Sequence, residues 1–176
     1  MNNFYKCSYP TQAVLVTCND KNGKANVITL AWHSTISKKP PLYGICIAPS
    51  RYSHDLIATS KEYTINFVPF TLVEKVNFCG THTGKKTDKI KETKFTLEKV
   101  DNIKTPIIKE CYAHLICKLF KTVKLGDHSL FVGEVLKVLF DEQAFSNDLL
   151  NNDKIKPCYY LGDNNYTTLD STRKRF

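Results

Sequence analysis

The sequence predicts a mainly β protein, a barrel with a few short helices packed around it. Three observations carry that expectation. Residues 110–126 (ECYAHLICKLFKTVKLG) and 128–141 (HSLFVGEVLKVLFD) are two long β-branched and aromatic runs meeting at Gly126-Asp127, the turn chemistry of a long coiled hairpin such as barrels use. Several shorter runs of the same kind precede them, bounded by turn residues. The segments that change to a helical period are short and irregularly placed, unlike the regular alternation of a doubly wound α/β fold.

Taken in order, QAVLVTCN (12–19) is a strand, DKNGK supplies a turn containing Gly23, and ANVITLAWHSTI resumes as the second arm of a hairpin with Ile28, Leu30 and Trp32 on one face. LYGICIA is a third strand. PSRYSHDLIATS then changes period, with Ser53 placed as N-cap ahead of Leu56 and Ile57. EYTINFV is a fourth strand, LVEKVNF a second short helix, and KKTDKIKETK (85–94) a third helix or a loop. CYYLGDNNYTTL adds one or two short segments around the turn-prone GDNN. No repeat and no linker composition divides the chain, so a single domain over 1–176 is expected.

A chain of 176 residues with 42% hydrophobic content is long enough to bury one core. No run reaches the roughly 18 apolar residues of a membrane span, and MNNFYKCSYP lacks the basic and apolar regions of a secretory signal, which points to a cytoplasmic protein with no membrane partner. Seven cysteines (7, 18, 46, 79, 111, 117 and 158) form no C-x-x-C pair and suit a reducing compartment as small core residues.

The net charge of +8 is mostly lysine spread along the chain. Its densest stretch, 85–94, is interrupted by acids and reads as a solvated helix face. A basic barrel that binds nucleic acid would interleave aromatics with cations on one face; here the aromatics sit within apolar strands, so no nucleic-acid partner is expected. Arginine occurs only at 51, 173 and 175. A forked guanidinium at 51 in a lysine-biased chain suggests a use for its geometry.

Several chemistries are excluded. No G-x-G-x-x-G follows a strand, and GTHTGKK (80–86) has one residue too few between its glycines and a lysine where a P-loop needs Ser or Thr. The five histidines include no H-E-x-x-H, and Cys79 with His82 is at most half a zinc site, so no metal is expected. The unusual stretch is AWHSTISKKPP (31–41), whose Ser34, Thr35 and Ser37 interrupt strand alternation. Either the strand runs out into a solvated turn or something polar docks there.

Five stretches in order, NVITLAWHSTISKKPPLYGICIAPSRYSHDLI, EYTINF, FCGTHTGKKTDKI, GDHSLFVGEV and YLGDNNYTTL, resemble the flavin reductase-like family, in its flavoredoxin and ferric reductase branch. The resemblance covers nearly the whole chain. It implies an FMN-binding split β-barrel of six Greek-key strands, a homodimer, and FMN at the barrel rim. It also implies hydride transfer from NADH or NADPH to the flavin, with electrons passing on to free flavin, ferric iron, a redox protein or a monooxygenase. A flavoredoxin-type electron-transfer protein or flavin-binding module without efficient nicotinamide oxidation is the alternative.

The resemblance also assigns the site. Thr29, His33, Ser34, Thr35 and Ser37 would supply donors and acceptors to the flavin ring edge and ribityl chain. Arg51 and Ser53 at a helix start would hold the phosphate, unless Arg51 is in a surface salt bridge. Cys79, Gly80, Thr83, Lys85 and Lys89 match the segment C-G…S-G-R…D-K; Thr83 replaces a serine and Lys85 an arginine, which removes the bidentate fork. Cys79 lies near the flavin or is a buried thiol, and Lys89 faces the flavin or solvent. Trp32 covers a flavin edge or packs in the core. His128 is either a turn residue or a catalytic group that positions the nicotinamide. Asn66 and Glu134 read as structural.

Overall fold

The computed structural model describes residues 3–172 and 174. A 3-10 turn at Phe4–Ser8 precedes β1 (Thr11–Gln12), followed by β2 (Val14–Asn19), β3 (Ala25–Leu30), β4 (His33–Ser37) and β5 (Leu42–Ile47). Then come α1 (Tyr52–Ser60), β6 (Glu62–Phe67), α2 (Val73–Thr81), α3 (Lys89–Thr93), β7 (Leu97–Glu98) and β8 (Ile107–Ile108). The long pair β9 (Ala113–Leu125) and β10 (His128–Phe140) follows, with β11 (Phe145–Ser146), β12 (Leu149–Leu150), β13 (Tyr159–Gly162) and β14 (Asn165–Thr167) closing the chain.

Seven strands form one antiparallel sheet in the order β3-β2-β6-β9-β10-β5-β4. Its two ends, β3 and β4, are consecutive in sequence, and only Ala31 and Trp32 separate them. The sheet therefore curls until its edges are joined by covalent chain instead of ladder hydrogen bonds, and that seam is the split in the barrel. Six strands enclose the core, as expected. The seventh, β4, is an outer hairpin partner of β5, and its middle residues Ser34, Thr35 and Ile36 are exposed.

The interior is packed by Val14, Val16, Ile28, Leu30, Ile45, Ile47, Tyr63, Ile65 and Phe131, with Leu56 and Ile57 of α1 covering one end. Leu15 and Val27 face the opposite way, onto Val76 and Cys79 of α2 together with Ile108 and Cys158. All six residues of β2 are buried. A strand covered on both faces reads as a continuous apolar run, which is why 14–18 shows no alternation. Across β2, β6 and β9 the amide of Asn66 donates to Leu15 O at 3.0 Å, while its Oδ1 accepts from Ile108 N–H at 3.0 Å and lies 2.9 Å from His114 Nδ1. These bonds commit the Asn66 side chain within the fold.

Four local expectations need correction. The arm 25–36 is not one strand: it breaks at Ala31 and Trp32, so Trp32 leaves the core face, and Ile36, 49% exposed, does not return to it. Helix α1 takes Arg51 as its N-cap in extended conformation, and Ser53 sits inside the first turn. There Ser53 is buried, its Oγ accepting from Asn26 Nδ2 at 2.8 Å. The lysine-rich stretch is not uniformly solvated, because Lys89 is only 4% exposed and its Nζ donates to the Cys79 carbonyl at 2.9 Å. This bond satisfies a carbonyl at the end of α2, where a cation is electrostatically favoured. Among the described residues no helix is long and apolar enough to cross a membrane.

Candidate functional site

The split opens into a cleft of two adjoining lobes. The first, about 270 Å³, is lined on one side by Ile28–Trp32 of the β3 edge and on the other by Cys46, Ile47, Ala48, Ser50 and Arg51, with Gly80 and His128 at its ends. The second, about 410 Å³, shares Thr29, Ala31, Arg51 and Gly80 and is walled by Tyr160, Asn164 and Tyr166 of the β13–β14 hairpin. Together they match the size of small-molecule and cofactor sites.

Each wall has a local cause. Strand β3 pairs only with β2, so its outer edge presents unpaired backbone groups to the cleft. Thr29 is held by its hydroxyl, which donates to Val76 O in α2. Gly80, in the last turn of α2, faces it: a Cβ there would sit 3.4 Å from Thr29 Cβ and fill the floor between the lobes. The Cys79 thiol is fully buried behind that floor, and burial raises its pKa to about 11. It is therefore a protonated packing group at neutral pH.

Arg51 is exposed, and among the described residues its guanidinium has no hydrogen-bond or ion-pair partner. The surface salt bridge is absent there. Lys89 lies below with its pKa lowered, first by burial and last by the charge of Arg51. At the opposite end, the His128 ring packs against Trp32 with centroids 4.8 Å apart, and Nδ1 lies 2.7 Å from Asp127 Oδ1. This bond to the largely exposed Asp127 lowers the carboxyl pKa. With Nδ1–H donating to Asp127, the other ring nitrogen of a neutral His128 is left as an acceptor.

The residues implied by the resemblance thus divide. Thr29, Trp32, Arg51, Gly80 and His128 converge on the cleft. His33 lies outside both lobes: its Nδ1 is 2.7 Å from Tyr43 Oη and its Nε2 is 2.8 Å from Gln12 O, and burial lowers its pKa. Ser34, Thr35 and Ser37 line neither lobe. Ser53 and Lys89 support the cleft from beneath through Asn26 and Cys79 O. Thr83 and Lys85 stand exposed in the loop after α2. Sequence reading missed Ser50, Tyr160, Asn164 and Tyr166. The signal for the last three was the aromatic composition around the GDNN turn, where Asp163 and Asn164 both take positive φ. It also missed the N-terminal turn, which spans both rims: Tyr5 packs on Trp32 at 5.7 Å and Tyr9 on Tyr160 at 5.4 Å.

A split barrel with a two-lobed cleft between the edge of β3 and the end of β5 defines the class of this protein. The chain belongs to the family of the flavin reductase like domain, whose model matches residues 5–162. It is 38% identical over 136 residues to an uncharacterized protein of Archaeoglobus fulgidus, covering 77% of this chain and 76% of the relative. In structure it is similar to the flavoredoxin of Methanosarcina acetivorans, with a TM-score of 0.88 and 30% identity over 99% of this chain and 92% of that one. It is also similar to the FMN-binding protein of Thermus thermophilus with bound 1-cyclohex-2-enone, with a TM-score of 0.86 and 26% identity over 99% and 94% of the two chains.

Proposed function

We propose that the cleft binds FMN and that the protein is an NAD(P)H-dependent flavin oxidoreductase. The observation that carries this reading is the Arg51 guanidinium, uncommitted among the described residues, at the N-cap of α1 and at the junction of both lobes. A cation at a helix start is the chemistry a phosphate requires. The donor set fits the rest of the cofactor. Thr29 and Ser50 offer hydroxyl oxygens, the β3 edge offers backbone groups, Gly80 leaves the floor open, and Ile47 and Trp32 supply apolar and aromatic surface.

Bound flavin would supply reversible two-electron chemistry, accepting a hydride and passing electrons on. The chain's own contribution is placement. Arg51 anchors the phosphate, Thr29 and the β3 edge fix the polar rim, and Trp32 keeps water from one side. His128, braced by Asp127, presents a ring-nitrogen acceptor at the entrance, suited to orienting a carboxamide such as that of nicotinamide. The electron acceptor in this reading is free flavin, ferric iron, a redox protein or a monooxygenase.

We include a homodimer. Leu136, Val138 and Phe140 alternate along the outer face of β10 at 48%, 53% and 54% exposure, an apolar stripe suited to a second copy. The second reading is a flavoredoxin-type carrier, favoured by the 30% identity to a flavoredoxin. One anaerobic experiment separates the two. The enzyme, loaded with FMN, loses its absorption near roughly 450 nm on addition of NADH or NADPH; if only dithionite or a reduced protein bleaches it, the carrier reading replaces the enzyme.

A further inference from the structure

The first turn of α1 is bonded to both sides of the split. Ser53 Oγ accepts from Asn26 Nδ2 on β3 at 2.8 Å, and His54 Nε2 lies 3.0 Å from Ser129 Oγ on β10. Ser129 pairs in register with Ile47 and directly follows His128, so this bond attaches the helix start to the strand that carries the histidine wall. Arg51, immediately before the helix, has no bond of its own among the described residues to hold its guanidinium. Its backbone is tied on both sides, its N–H donating to Ala48 O at 3.0 Å and its carbonyl accepting from His54 N–H at 2.9 Å, so its position follows in part from what fixes the turn at His54.

The surroundings of His54 suit that task. Its Nδ1 is 3.3 Å from Asp55 Oδ1 and its ring lies edge-on to Phe131 at 5.0 Å. With Asp55 ionised and the imidazole neutral, Nδ1–H donates to Asp55 and Nε2 accepts from the Ser129 hydroxyl. Aspartate, histidine and serine in this order have the connectivity of a hydrolytic triad. Ser129, however, is 5% exposed and lines neither lobe, so no substrate carbonyl reaches it.

We infer that His54 is a positioning residue: its bond to Ser129 sets where Arg51 stands relative to the His128 wall, and thereby makes the cleft prefer a phosphorylated flavin over an unphosphorylated one. The inference rests on the flavin reading above. Its signature is selectivity. A clasp that merely supports the fold would affect both flavins alike, whereas one that places a phosphate-binding cation affects FMN and spares riboflavin.

The test is fluorescence-quenching titration of flavin-free protein with FMN and with riboflavin, for the parent, His54→Ala, Ser129→Ala, Arg51→Ala and the His54→Ala/Arg51→Ala pair. His54→Ala is expected to raise the FMN Kd about tenfold and leave riboflavin within about twofold, with no further loss once Arg51 is gone, because the two changes remove one coupled contribution. Ser129→Ala breaks the same bond from the other side and is expected to reproduce the selective loss, which covers the case in which His54→Ala does not fold. Equal losses for both flavins, no loss, or full additivity with Arg51→Ala would overturn the inference. If the parent binds neither flavin, the reading of the cleft fails separately. Amide exchange at residues 51–53 then decides the positioning role, being faster in the folded variants if His54 holds the turn and unchanged if it does not.

Discussion

The barrel has a closed wall and a split wall, and they use polar groups in opposite ways. On the closed wall, Asn66 bonds to Leu15 O, Ile108 N–H and His114, so its polar capacity is spent within the fold. At the split, the β3 edge and the Arg51 guanidinium face the cleft without partners among the described residues. Buried polar groups with partners specify a structure, and accessible ones without partners remain available to a ligand. Changes on the closed wall should therefore act on stability and changes at the split on binding and rate.

The largest expected effect is Asn66→Ala, which strands a buried N–H, a carbonyl and an imidazole and should cost about 4 kcal/mol in urea denaturation. FMN affinity of the folded fraction should stay within about twofold; a large fall in affinity at full stability would erase the contrast. Next comes acid sensitivity. Burial lowers the His114 pKa to about 4, against about 6.5 in the unfolded chain. Between these values the unfolded state binds the extra proton, so this contribution is complete above about pH 6.5 and is lost as pH falls toward 4, by about 3 kcal/mol. Comparing unfolding at pH 7 and 4.5 for the parent and His114→Gln isolates the term, and identical slopes would remove His114 as its source.

At the split, Arg51→Ala should weaken FMN binding about tenfold to a hundredfold while the flavin-free protein melts at an unchanged temperature. Retention of the cofactor through dialysis by this variant would refute the phosphate assignment. The smallest effect is that of His128→Ala, expected to slow anaerobic bleaching by NADH or NADPH about tenfold with FMN affinity altered less than threefold. An unaltered rate would return His128 to the role of a turn residue.

Much of the closed wall was legible from residue periodicity, because strands covered by strands and helices announce themselves as apolar runs. The long β9–β10 hairpin and the helix at α1 follow from local composition. The split was legible only through the family resemblance, and there unevenly. Hydroxyls at 34, 35 and 37 look like ligand donors in sequence, yet where they point depends on the chain leaving β3 at Ala31, a turn with no glycine or proline to mark it. Lys89 hides in a charged run because its partner is a backbone carbonyl, which leaves no trace in composition. Ser53 and Arg51 differ as caps by two residues, within the ordinary uncertainty of a helix start.

The two-residue link between β3 and β4 has a mechanical consequence. Extended chain advances at most about 3.6 Å per residue, so the two sheet edges cannot part at Ala31 and Trp32 by more than roughly one ligand ring. That side of the cleft behaves as the spine of a book. Traffic of cofactor and substrate has to pass at the fore-edge, which is bordered by the N-terminal turn through Tyr5 on Trp32, by the β13–β14 hairpin paired to β1, and by His128 beside the Gly126-Asp127 turn.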